Sequence, residues 1–157
     1  MMYEIHSIGR IIATSPKVAS TAIGNFYKTV NIKSLSVAAV VELKKSNWKV
    51  TGIVRDPIDR FESAYNFFQY GQCGNFPVGR FENINSFTDA VLAGVSDDHW
   101  DAQSGLLTVC DNYADLETLE LPLVENTVVH REAADYRCDE LMEFYKQDYK
   151  LRGSAWR

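Results

Sequence analysis

Lys17 stands between Pro16 and Val18, with Ser20 and Thr21 close behind it. A cation and two short hydroxyls within one turn of chain are the donors an oxyanion needs. The flanking residues say where they would sit. Ile11-Ile12-Ala13-Thr14 is a short apolar run ended by Ser15-Pro16, which reads as a buried strand. Ala22, Ile23, Phe26 and Tyr27 then recur at helical spacing, predicting a helix from Ser20 to Thr29. A helix N-terminus presents unpaired N–H groups and a partial positive charge, so a strand-loop-helix turn carrying Lys17 would cradle an anion. The Gly-x-x-x-x-Gly-Lys frame of a nucleoside-triphosphate loop is absent.

Arg55 is the second candidate. It follows the apolar run Lys49-Val50-Thr51-Gly52-Ile53-Val54, read as a strand, and precedes Asp56-Pro57. Asp is a good N-cap and Pro a good first helical residue. Ile58, Phe61, Ala64, Tyr65 and Phe68 share one face of the helix that follows, which ends near Tyr70-Gly71. Ligands of parallel α/β sheets bind at the C-terminal ends of strands. A guanidinium suits phosphate there because its planar fork makes two parallel hydrogen bonds. Ser63, about two turns along the helix, would reach the same phosphate. Arg60 reads as a solvated or helix-pairing residue. One crossover separates Lys17 from Arg55, and a right-handed β-α-β unit would bring both strand ends to one edge.

His99 is the third, in Ser96-Asp97-Asp98-His99-Trp100-Asp101. Neighbouring carboxylates favour a charged imidazole, and a His so placed could take a proton from a hydroxyl. A loop-ordering His is the plainer account. Glu42 and Asp98 are lesser candidates for a base, and His6 and His130 read as peripheral and structural. Trp100 suits either a sugar-stacking platform or ordinary packing.

The remaining elements must position these groups. Residues 1–9 read as an edge strand or lead-in. Residues 34–45 lean to a helix capped by Ser34, although the valines would also suit a strand. Ser86 and Asp89 suggest a capped helix to Ala93, stopped by Gly94. Residues 96–105 read as a polar loop, 116–124 and 126–130 as short strands, and 138–151 as one helix with Leu141, Phe144 and Tyr145 inward. The expectation is a single α/β domain over residues 1–157, three-layered, with a central parallel sheet flanked by helices.

With 46% hydrophobic and 24% charged residues, the 157-residue chain has ordinary globular composition. A net charge of −5 argues against a broad nucleic-acid or anionic-membrane surface. Cys73, Cys110 and Cys138 show no C-x-x-C spacing, which points to free thiols rather than zinc or a redox pair. No apolar run approaches the ~20 residues of a membrane span, and the first residues lack a signal-peptide pattern. The expectation is a soluble cytoplasmic protein.

Four segments together resemble a known family. Pro16-Lys17-Val18-Ala19-Ser20-Thr21 is similar to the 5′-phosphosulfate loop of sulfotransferases that use 3′-phosphoadenosine 5′-phosphosulfate (PAPS). Val54-Arg55-Asp56-Pro57, followed by Arg60 and Ser63-Ala64-Tyr65, is similar to their 3′-phosphate motif. His99-Trp100 with Gln103 and Leu107 resembles the His-Trp segment of the carbohydrate sulfotransferases, the heparan and chondroitin type. Tyr145-Lys146-Gln147-Asp148-Tyr149 resembles their C-terminal Tyr-x-x-Asp-Tyr helix. The resemblance implies a P-loop-like nucleotide-binding core and PAPS as co-substrate, without a metal. It implies Lys17, Val18, Ala19, Ser20 and Thr21 around the 5′-phosphosulfate, and Arg55 and Ser63 on the 3′-phosphate. The acceptor would be a hydroxyl, on a carbohydrate, with Lys17 and His99 catalytic. Residues 31–48 are compressed relative to the family and lack the His that some heparan enzymes carry there. Leu151-Arg152-Gly153-Ser154 is similar to a phosphate contact of cytosolic sulfotransferases, though a helix end accounts for it equally. Two other functions compete. One is a phosphotransferase with a degenerate P-loop, which would need Mg²⁺; the other is a non-catalytic relative that only binds an anion such as 3′-phosphoadenosine 5′-phosphate (PAP).

Overall fold

Three parallel strands form the centre of the molecule. The computed structural model describes residues 2–5, 10–18, 35–70, 81–118 and 138–155. Strands β1 (Met2–Ile5), β2 (Arg10–Thr14), β3 (Lys49–Val54) and β4 (Asn112–Asp115) form one sheet in the order β1-β2-β3-β4. β2, β3 and β4 run parallel, with Ile11 beside Val50 and Val54 beside Asp115, whereas β1 is an antiparallel edge. The sheet is therefore mixed rather than wholly parallel. The helices are α1 (Val37–Lys45), α2 (Pro57–Tyr70), α3 (Ile84–Leu92), α4 (Gln103–Leu106), α5 (Cys138–Phe144) and α6 (Lys146–Gly153). The helix expected after Ser20, residues 71–80 of the expected loop, and all of the strands expected over 116–124 and 126–130 except residues 116–118 lie outside the described residues.

β3 is buried from Val50 to Val54, as a central parallel strand must be. Its Gly52 has a packing reason. A Cβ there would lie 2.9 Å from both Cys110 Sγ and Tyr113 Cδ1, so the missing side chain lets the Tyr113 ring lie across the strand. Ile11, Ala13, Val50 and Val54 pack with Val40 of α1, Leu107 and Ala155 in one core. A second core joins Phe61, Ala64 and Phe68 of α2 to Ile84, Phe87 and Val91 of α3, Leu141 of α5, Trp100 and Tyr145. Each large apolar side chain buried there contributes roughly 1.5–3 kcal/mol.

Several boundaries differ from expectation, each for a local reason. α1 is a helix, capped by Ser36 rather than Ser34, with the Ala39 N–H donating to Ser36 Oγ. α3 is capped by Asn83, and Ser86 is the return partner of that capping box. Leu116–Thr118, expected to open a strand, are not part of one, and the fourth strand is Asn112–Asp115, which the sequence did not announce. Asp115 ends it by turning the chain into a 3₁₀ turn over Leu116–Thr118, with the Glu117 N–H and Thr118 hydroxyl donating back to it. The C-terminal helix breaks at Tyr145, where ψ is 14°. That break faces the Tyr145 hydroxyl to the Trp100 carbonyl and Asp148 to the start of α4. It leaves Phe144 exposed, where an inward position was expected. The polar stretch 96–105 ends in α4 and buries Trp100 completely.

Candidate functional site

β2 ends in a buried Thr14-Ser15 pair, and the chain reverses at Pro16-Lys17. Lys17 adopts φ of 63°, the left-handed region that a Lys side chain occupies at a cost of about 1–3 kcal/mol. Two guanidiniums hold the reversal. Arg55 Nη1 donates to the Lys17 carbonyl at 3.2 Å, and Arg60 Nε donates to the Pro16 carbonyl at 3.0 Å. The Ser15 hydroxyl beside them is buried and has no hydrogen-bond partner among the described residues. The Lys17 ammonium lies 4.0 Å from the centre of the Phe67 ring, a cation–π contact with α2.

Arg60 corrects the expectation of a solvated residue, since it is 1% exposed. Besides Pro16, it donates to the carbonyls of Asp101 and Asp98, each at 2.6 Å. It thus ties the Lys17 loop to the His99 loop. Burial pulls its pKa below the ordinary guanidinium value, against the opposing pull of Tyr145, Asp148, Asp101 and Asp98. A guanidinium ionises at so high a pH that it remains a cation here.

His99 sits in the loop that Arg60 holds. Its Nδ1 is 2.6 Å from Asp97 Oδ1. Its ring stacks on Phe67 at 5.2 Å between centroids and meets the edge of Phe68. Phe67 therefore contacts both Lys17 and His99, which brings the two candidate catalytic residues to one patch of α2. The expected ring of carboxylates is narrower than the sequence suggested. Asp97 bonds the imidazole, Asp101 accepts from Ser96 and the Asp97 N–H, and Asp98 is exposed. Trp100 packs against Phe68, Phe81 and Phe87 and donates to the Val95 carbonyl, which rules out a sugar platform.

Arg55 is clasped from behind. The Gln103 carboxamide accepts from the Arg55 N–H at 3.0 Å and donates to the Arg55 carbonyl at 2.9 Å. Asp148, 1% exposed, accepts in turn from the N–H groups of Gln103 and Ser104 at 2.7 and 2.8 Å. Asp56 caps α2 as expected, with one oxygen taking the N–H groups of Ile58 and Asp59. Its other oxygen pairs with Arg152 Nη1 at 2.6 Å, while Arg152 also pairs with Asp115 and Glu117. Burial disfavours the Arg152 charge, but Asp115, Glu117 and Asp56 outweigh it and hold its pKa above the ordinary value. Arg152 is thus committed to three carboxylates at the ends of β3 and β4, and the likeness to a phosphate contact is not carried through.

The other expected residues divide. Val18 is fully buried behind the loop. Ala19, Ser20 and Thr21 lie outside the described residues. Ser63 is half-buried on α2, and no hydrogen bond among the described residues joins it to Arg55. Glu42 pairs with Lys45 on the exposed side of α1. Sequence reasoning missed the roles of Arg60, Phe67, Gln103 and Asp148, although three of them fall in the segments that carry the resemblance. Among the described residues, no group of three or more His, Cys, Asp or Glu could hold a metal ion, and no helix is long and apolar enough to cross a membrane.

Comparison with models of known protein families, with characterised proteins and with solved structures found no match to the chain.

Proposed function

We propose that the chain is a PAPS-dependent sulfotransferase that acts on an acceptor hydroxyl, on a carbohydrate. One observation supports this reading. The described parts of the four segments that resemble the family meet at one edge of the sheet, joined by hydrogen bonds from Arg55 to Lys17, Arg60 to Pro16 and Asp98, Gln103 to Arg55, and Gln103 to Asp148. An exposed Lys and an ordinary surface Arg–Asp pair would have no reason to be linked in this way. The residues also suit an anionic nucleotide. Two cations adjoin a loop at the C-terminal end of a parallel strand, and a buried Ser15 hydroxyl there lacks a partner among the described residues.

PAPS would supply a sulfuryl group already bonded to a phosphate leaving group. Lys17, with Val18, Ala19, Ser20 and Thr21, would hold the phosphosulfate end, and Arg55 with Ser63 the 3′-phosphate. Negative charge grows on the phosphate oxygen as its bond to sulfur breaks, and the Lys17 ammonium neutralises it. A preorganised donor of this kind contributes about 2.7–4 kcal/mol to the transition state. With Nδ1 bonded to Asp97, His99 takes the acceptor's proton at Nε2.

Thermal-shift measurement with PAP and with ATP plus Mg²⁺, followed by transfer of labelled sulfate to a panel of glycans, tests the reading. PAP should raise the melting temperature, ATP with Mg²⁺ should not, and at least one glycan should become labelled. Stabilisation by ATP with Mg²⁺ alone would favour a phosphotransferase. PAP binding without transfer to any acceptor would favour a non-catalytic relative.

A further inference from the structure

Arg55 is the first residue past β3, at a point where the ladder has run out. Val54 still lies beside Asp115, but the next residue along that neighbour, Leu116, has entered the 3₁₀ turn. A backbone N–H and C=O at such a position lose their strand partner. Gln103 takes both with a single carboxamide and so acts as one residue of an additional strand. It is 1% exposed, and the Asp148 carboxylate holds its own N–H from α6. Burying an amide and a carboxylate in this way is costly, and an apolar pair would fill the space with less desolvation. What the polar arrangement adds is a fixed direction for the Arg55 side chain as it leaves the sheet toward the Lys17 loop.

We infer that Gln103 is a positioning residue of the anion site. It fixes the backbone from which Arg55 reaches the 3′-phosphate, and Asp148 holds Gln103 in place. This rests on the sulfotransferase reading, under which Arg55 takes that phosphate. Bidentate guanidinium–phosphate pairing needs two N–H groups aligned with two oxygens, so a small rotation of the Arg55 backbone loses one of them.

Calorimetric binding of PAP and of adenosine 5′-phosphate, which lacks the 3′-phosphate, separates the inference from the reading beneath it. The wild-type chain should prefer PAP. In Gln103→Leu, similar in size but without the clasp, PAP affinity should fall about ten- to a hundredfold while affinity for adenosine 5′-phosphate holds. Gln103→Glu is the conservative variant and serves if the Leu variant does not fold. Its carboxylate accepts from the Arg55 N–H but offers the Arg55 carbonyl no donor until it is protonated, which nearby Asp148 favours. Its PAP affinity relative to wild type should therefore recover as pH falls. An unchanged PAP preference in Gln103→Leu, a loss shared equally by both nucleotides, or a Gln103→Glu ratio flat in pH would overturn the positioning role and leave the nucleotide reading standing. A wild-type chain with no preference for PAP would overturn the reading and the inference with it.

Discussion

At the level of single residues, Lys17 carries two burdens that separate cleanly. Its backbone is in the left-handed region and its ammonium lies on Phe67 beside His99. Gly accepts that backbone conformation without a Cβ penalty. Lys17→Gly should therefore leave the melting temperature at or above wild type while sulfate transfer falls about 10²–10³-fold. A variant that unfolds would show that the side chain, not only the chemistry, is needed there. For His99→Gln, sulfate transfer should fall about 10²–10⁴-fold with PAP affinity unchanged. Turnover close to wild type would move the base elsewhere. That Lys17 and Arg55 lie just past strand ends was legible, because an apolar run closed by Ser-Pro or by Arg-Asp-Pro leaves a strong local pattern. Arg60 was not. Spacing along α2 says which side of the helix it occupies, but only the folded chain brings the carbonyls of residues 16, 98 and 101 to it.

Among the elements, β3 is the most constrained. Gly52→Ala would drive a methyl into Cys110 Sγ and the Tyr113 ring, and overpacking of this kind costs about 1–3 kcal/mol. Urea unfolding should show a lower midpoint with an unchanged slope. Cys110 itself, pushed up to about 12 by burial, keeps its proton where an unfolded thiol would lose it. A raised folded pKa gives stability that is full below the unfolded value and is lost as pH climbs toward 12. Alkaline titration of unfolding should show that loss, and it should shrink in Cys110→Ala. Alkylation at pH 8 should be slow until the chain unfolds. The apolar runs announced β2 and β3, and α2 followed from its capping pair and apolar spacing. β4 was hidden because Asn-Tyr-Ala-Asp carries little apolar pattern, and its Asp115 is buried only because Arg152 comes to meet it. The break at Tyr145 was equally silent, since it answers to Trp100 and α4, which lie far off in the sequence.

Across the whole molecule, the C-terminal helix α6 is the brace between the sheet and the loops. Its Asp148 holds α4, its Arg152 joins the ends of β3 and β4, and Leu151 and Ala155 close the sheet core. Arg152→Ala leaves the buried Asp115 carboxylate without its cation, which costs about 3–5 kcal/mol. Arg152→Lys should recover only part of it, because an ammonium lacks the fork that reaches three carboxylates at once. Chemical denaturation of the two variants beside wild type gives that order directly.

The clasp on Arg55 also sets a timetable. Ribosomes build β2, β3 and α2 well before they reach Asp148, so a half-made chain has its cations but not the helix that fixes Gln103. Under the proposed PAPS reading, stalled nascent chains of increasing length should therefore gain tight PAP binding only after α6 has left the exit tunnel.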